Sequence, residues 1–169
     1  MQVVLVGFMG VGKTTIGRIL AKELGLPFMD MDRELVNRIG MPIKDLFEQS
    51  GEEAFRLEET KLLAELRSYE GVISTGGGIA TRPENVELLL QFETVVFLHA
   101  SFSVVNYRIN KNKRRARPLA EGDVGELKKL FFDRKVSYEK VATFRQNTNH
   151  KPLKKITAEI REKLQGQEC

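Results

Sequence analysis

The stretch QVVLVGFMGVGKTTIG, residues 2–17, decides how this chain is read. An apolar run of strand length gives way to glycines and a lysine, and then to a helical pattern. Gly7 to Thr14 fits G-x-x-x-x-G-K-[ST] between a strand and a helix, the context that makes the pattern a phosphate-binding loop. Bare backbone lets successive N–H groups turn toward phosphate oxygens, and a helix N-terminus near Lys13 adds its positive dipole end. Lys13 can reach the β- and γ-phosphates, and the Thr14 hydroxyl is placed to bind Mg²⁺. The rival reading, a glycine-rich turn with an exposed lysine, weakens once pattern and context both match. The stretch marks a nucleoside triphosphate site.

Outward from this loop, apolar runs of strand length alternate with amphipathic runs of helix length. QVVLV (2–6), LPFMD (26–30), GVIST (71–75), TVVFLH (94–99) and ATFRQN (142–147) are candidate strands. Helices are expected near 13–24, 32–48, 51–68, 83–91, 101–110, 123–140 and 153–164. This alternation predicts an α/β fold with three layers, α/β/α, around a central five-stranded parallel sheet. Thr81 with Glu84, and Asp123 with Glu126, read as capping boxes that start helices.

The 169 residues suffice for one domain, 1–169, with a sizeable core. An apolar fraction of 41% and a charged fraction of 30% are those of a globular protein, not of a disordered or membrane chain. The net charge of +4 suits an anionic ligand without excluding nucleic acid. One cysteine, Cys169, leaves no disulfide framework and points to a reducing, cytoplasmic setting. The apolar N-terminus lacks a basic leader and runs into Gly10, Gly12 and Lys13, so no signal peptide is expected. No apolar run reaches the roughly 20 residues of a membrane helix.

The segment NKNKRRARPLAEG (110–122) breaks the rhythm with clustered basic residues, a Pro and a Gly. It reads as a loop too long to be a simple connector. Either it is a solvated basic loop, or it is a lid that closes over phosphate. The guanine-reading N-K-x-D is missing, because NKNK lacks its aspartate, and no D-x-x-G switch follows. Small size and a basic lid favour a small-molecule kinase, whose main task is to orient an acceptor hydroxyl against the γ-phosphate.

On the acceptor side, FMDMD places Asp30 and Asp32 at the end of the second strand, where open α/β sheets face their ligand crevice. Asp30 could hold Mg²⁺ through water. Asp32 could cap the following helix, or accept a hydrogen bond and then a proton from a substrate hydroxyl. Gly76, Gly77 and Gly78 follow the third strand and either admit a ligand to the main chain or form an ordinary turn. Leu127, Leu130, Phe131, Arg134, Tyr138 and Val141 fall in one helical stripe, with Arg134 in its middle. A guanidinium keeps its charge, so a buried Arg134 must meet an anion, either an internal carboxylate or a ligand. Arg56 has a local partner available in Glu52, four residues earlier.

Taken together, GFMGVGKTTIG, DMD, GEEAFR, TGGG, RPL and R-x-x-x-Y from Arg134 resemble the shikimate kinases, P-loop enzymes of the nucleoside-monophosphate-kinase type. The first motif is shared with many NTPases; the ordered combination is far more specific. The resemblance implies transfer of the ATP γ-phosphoryl group to the 3-hydroxyl of shikimate. The products would be shikimate 3-phosphate and ADP, on the way to aromatic amino acids. It further implies that Gly10, Val11, Gly12, Lys13, Thr14 and Thr15 wrap the phosphates, with Thr14 on Mg²⁺ and Asp30 in support. Asp32 and the main chain around Gly77, between Gly76 and Gly78, would hold the ring hydroxyls. Arg56 and Arg134 would clamp the substrate carboxylate. Arg117, in RPL, would swing in with a lid at about 110–122, and residues about 32–60 would form the substrate-binding helical region. Lys13, Asp32 and Arg117 become the candidate catalytic residues. Lys151 and Pro152 are candidate adenine contacts in a segment slightly short against the family pattern. Where relatives carry an adenine-stacking arginine this chain has Asn110, with Arg108 nearby.

A gluconokinase-like enzyme shares the phosphate machinery but gives no reason to pair Arg56 and Arg134 with Asp32 and Gly77. A nucleic-acid or non-catalytic nucleotide binder finds support in KNKRRAR, yet no aromatics interleave there to stack bases. The expected protein is a monomeric cytoplasmic kinase using ATP and Mg²⁺, with shikimate as partner and neither nucleic acid nor membrane.

Overall fold

The computed structural model describes residues 1–115 and 124–166. Five strands, β1 (Gln2–Val6), β2 (Phe28–Asp30), β3 (Gly71–Ser74), β4 (Thr94–His99) and β5 (Phe144–Asn147), form one parallel sheet in the order β2-β3-β1-β4-β5. The expected five-stranded parallel sheet is therefore present. Val3 to Val6, Val72, Ile73 and Val95 to Leu98 are all buried. Near-continuous apolar strands are what a sheet covered on both faces requires.

The helices are α1 (Lys13–Leu24), α2 (Met31–Ile39), α3 (Ile43–Glu65), α4 (Pro83–Leu89), α5 (Phe102–Arg115), α6 (Val124–Val141) and α7 (Leu153–Gln165). The sheet register separates them into layers. Leu5 pairs with Val96 and Val6 with Phe97, so Leu5 and Phe97 point to opposite faces. A methyl added at Gly17 of α1 would stand 3.1 Å from the Leu5 side chain, whereas Tyr138 of α6 packs its ring 5.3 Å from Phe97. α7 joins α1 on the first face, while α3, α4 and α6 pack in series on the second. Strand order reverses about β1, with β3 on one side and β4 on the other. A crevice opens at the strand carboxyl ends of such a switch point.

Several boundaries differ from expectation, each for a local reason. The two helices expected at 32–48 and 51–68 are instead divided at residues 40–42. Gly40, at φ 75, closes α2 by donating its N–H to the Val36 carbonyl, and Pro42 starts α3. Gly51, at φ 80 and ψ 167, only kinks α3. The Thr81–Glu84 capping box is absent: Arg82 holds the N-cap, Pro83 opens the helix, and the Thr81 hydroxyl donates to the Gly78 carbonyl at 2.7 Å. α5 runs on to Arg115, so the first part of the segment expected as a loop is helical. The remainder of that segment, with Arg117, Asp123 and the lid expected there, lies outside the described residues, as does Cys169. In α6, Leu130 sits at the surface while Phe131, Tyr138 and Val141 are buried. No helix among the described residues is long and apolar enough to cross a membrane.

Gly40 has open space around it, so a side chain there would meet no neighbour and pay solely for its left-handed backbone. Gly40→Ala should lower unfolding free energy by about 1–2 kcal/mol in urea titration while leaving ligand affinities intact. Unchanged stability would contradict this account of the α2–α3 break.

Candidate active site

The loop after β1 builds the first half of the crevice. Gly10 (φ 77) and Gly12 (φ 102) adopt left-handed backbone, the second as the N-cap of α1. Lys13 is buried, and its ammonium donates to the Gly7 carbonyl at 2.6 Å and the Phe8 carbonyl at 3.1 Å. Burial lowers its pKa from an ordinary 10.5 to about 8; the Asp32 and Asp30 charges oppose the shift and Arg134 adds to it. Thr14 donates its hydroxyl to Asp30 Oδ2 at 2.9 Å and lies 3.5 Å from the Ser74 hydroxyl. Asp30, not Asp32, is the N-cap of α2, its Oδ1 accepting from the Arg33 N–H. Asp32 is thereby left in the first turn with its carboxylate turned to the cleft. Partial loss of water, then the charge of Asp30, raise its pKa, against Lys13 and Arg56.

Among the described residues, no three His, Cys, Asp or Glu side chains are grouped to hold an ion unaided. One hydroxyl and one carboxylate nevertheless fit Mg²⁺, which keeps waters and phosphate oxygens and takes few protein ligands.

Asp30, Asp32, Lys13, Thr14, Thr15, Gly10, Gly12 and Gly77 line one cleft of about 300 Å³, with Met9 and Thr75. Gly77 brings the glycine run to this cleft, and what crowds Gly76 to Gly78 explains the absence of side chains. A methyl at Gly76 would stand 3.0 Å from Asp32 Oδ1 and 2.9 Å from Glu59 Oε1. At Gly78 it would overlap the Arg56 guanidinium, whose central carbon lies 2.6 Å away. At Gly77 it would point between the Met9 N–H and Arg134 Nη1, each at 3.5 Å. The phosphate loop, glycine run and Arg134 are thus immediate neighbours.

The two arginines differ. Arg56 is fully engaged within α3: Nη1 meets Glu59 at 2.9 Å, while Nε and Nη2 meet Glu52 at 3.2 and 3.0 Å. The local pairing foreseen with Glu52 is present, and Glu59 adds a second carboxylate. Arg134 has no carboxylate at ion-pair distance among the described residues, and its Nε is buried without a partner. It rests over the Phe8 ring at 5.8 Å.

Three further residues enter. Glu59 is 1% exposed, and its Oε1 has no partner. Burial raises its pKa, with Arg56 opposing. Its signal in sequence was a carboxylate inside the Phe55–Leu62 apolar stripe. Arg108 reaches from α5 to the Val11 carbonyl at 3.3 Å and the Gly10 and Thr148 carbonyls at 3.5 Å. Tyr138 donates its hydroxyl to the Gly77 carbonyl. Lys151 is bound to Glu159 at 2.6 Å, and Pro152 is the N-cap of α7, so neither lines the cleft.

With this geometry in hand, known proteins offer a comparison. A family model described as shikimate kinase matches residues 9–165. The shikimate kinase of Enterococcus faecalis is 44% identical, covering 96% of this chain and 98% of its own. A solved shikimate kinase from Acinetobacter baumannii, in complex with shikimate, superposes with a TM-score of 0.89 at 36% identity, covering 98% of this chain and 93% of that one. A gluconokinase from Sinorhizobium meliloti, at 21% identity and a TM-score of 0.56, shares the fold alone. Model, relatives and structure span nearly the whole chain, and the chain belongs to the shikimate kinase family.

Proposed function

We propose that the chain transfers the γ-phosphoryl group of ATP to the 3-hydroxyl of shikimate, giving ADP and shikimate 3-phosphate on the route to aromatic amino acids. The observation that carries this reading is Arg134, a guanidinium with no carboxylate at ion-pair distance among the described residues, set against Gly77 and the phosphate loop. A planar, fork-shaped cation so placed suits a small organic acid. The relatives named above support the choice of shikimate over gluconate.

Lys13 leaves the Gly7 and Phe8 carbonyls for the β- and γ-phosphates, while the N–H groups of Gly10 to Thr15 surround them. Thr14 would hold Mg²⁺ directly and Asp30 through water; the ion, when bound, neutralises charge on the phosphate oxygens. Arg134 and Arg56 receive the shikimate carboxylate, which turns the ring hydroxyls toward Asp32. Because Glu52 occupies Arg56 from the exposed side, the substrate carboxylate competes with it there. Asp32 accepts the 3-hydroxyl proton as that oxygen bonds to the γ-phosphorus and the bond to the β-bridging oxygen breaks. Its raised pKa makes it the better base. Arg108 supports the loop carbonyls on the nucleotide side. Arg117 takes the phosphate-neutralising role that the family resemblance gives it. A cytoplasmic monomer is the setting this reading expects.

ADP release measured with shikimate, gluconate and nucleoside monophosphates tests the assignment: turnover with shikimate alone is expected, and preference for either other acceptor would overturn it. Arg134→Ala should raise the KM for shikimate roughly 100-fold, the scale of a lost charge-assisted bond, and leave the KM for ATP nearly unchanged. An equal rise in both would contradict the clamp.

The pKa of Lys13 sets a second expectation. A neighbouring triphosphate favours the ammonium, so nucleotide binding raises the pKa of Lys13 above about 8. At about pH 8.5, binding should therefore take up part of a proton, and affinity should fall as pH rises further. Calorimetry in buffers of different ionisation enthalpy measures that uptake. Lys13→Met should abolish it; equal uptake by both proteins would show that the proton lies elsewhere.

A further inference from the structure

We propose that Tyr138 is a positioning residue for the acceptor, holding the Arg134 guanidinium and the Gly77 backbone in one fixed mutual geometry. This rests on the acceptor reading above and adds a residue to it. Tyr138 lies one helical turn beyond Arg134 on α6, so the two side chains share a face. Its hydroxyl has one proton to donate, and that proton goes to the Gly77 carbonyl. The same oxygen lies within the field of the Arg134 guanidinium, one turn away on the same helix face. Tyr138 therefore stands between the clamp on α6 and the run after β3, bonded directly to the latter.

The ring is anchored independently of either contact. Tyr138 is 1% exposed and packs against Phe97 on β4 at 5.3 Å. Burial pushes the phenol well above its ordinary range, so it remains a donor throughout the working pH range. The Gly77 carbonyl in turn fixes its peptide plane. Because peptides are planar and trans, the Gly78 N–H must point the opposite way. Gly77 itself lies between the Met9 N–H and Arg134 Nη1, where small displacements alter the span from phosphate loop to clamp. Position errors of this size weigh heavily where an acceptor must be held near attack geometry. Tyr138 does not itself line the cleft, so its effect there is transmitted through Arg134 and Gly77.

Tyr138→Phe deletes the hydroxyl and keeps the ring. Steady-state kinetics of wild type, Tyr138→Phe, Arg134→Ala and the double variant test the proposal, with urea midpoints as the measure of folding. For Tyr138→Phe we expect the KM for shikimate to rise roughly tenfold, the scale of one buried hydrogen bond. Its kcat should stay within about twofold, and its KM for ATP should not change. In the Arg134→Ala background the same change should add less than about threefold, since residues acting as a unit are not additive. An unchanged shikimate KM, a matching rise in the ATP KM, or full additivity would overturn the proposal. If Arg134→Ala itself leaves the shikimate KM unaltered, the clamp reading fails instead.

Discussion

A guanidinium cannot shed its charge, and in this fold one is held against an aromatic ring with no carboxylate at ion-pair distance among the described residues. Arg134 rests over Phe8, keeps a buried Nε without a partner, and faces Gly77. Burying part of a guanidinium without a partner is costly, and an arriving anion would relieve that cost. Arg56 shows the contrast: two glutamates already surround it. The proposed acceptor side thus combines a cation with no carboxylate at ion-pair distance among the described residues and one already paired with two.

Topology brings that cation to the phosphates. β1 ends in the phosphate loop, its neighbour β3 ends in the glycine run, and α6 crosses the face that Phe97 presents. Parallel neighbours deliver both loops to one edge of the sheet. The missing side chains of Gly76 to Gly78 then let Asp32, Glu59, Arg56 and Arg134 close around that edge. Electrostatics follows from the crowding: burial lowers the pKa of Lys13 and raises those of Asp32 and Glu59. Each shift favours the neutral form, and an incoming polyanion reverses the balance at Lys13.

Features fixed by local spacing could be read from the sequence. The phosphate loop follows from its glycine and lysine positions, the parallel sheet from strand–helix alternation, and Arg134 from a charge inside an apolar stripe. Features set by contacts distant in sequence could not be. Arg108 looks like one more basic residue before a basic segment, until α5 packs beside the phosphate loop and aims it at the Gly10 and Val11 carbonyls. Asp32 is the expected cap of the second helix until the helix start at Met31 gives that place to Asp30. The break after α2 was hidden because two glycines, Gly40 and Gly51, offered themselves, and Pro42 favours the first. Leu130 shares the helical period of the buried stripe, yet its side chain is left at the surface.

The central claim is that Arg134 is completed by the carboxylate of the acceptor. Calorimetric titration of the protein with shikimate and with its uncharged methyl ester addresses this directly, because the two differ in charge while sharing every hydroxyl. The ester is expected to bind roughly 100-fold or more weakly, the scale of losing a bidentate charged pair. Equal affinity for acid and ester would mean that the guanidinium serves something other than the substrate.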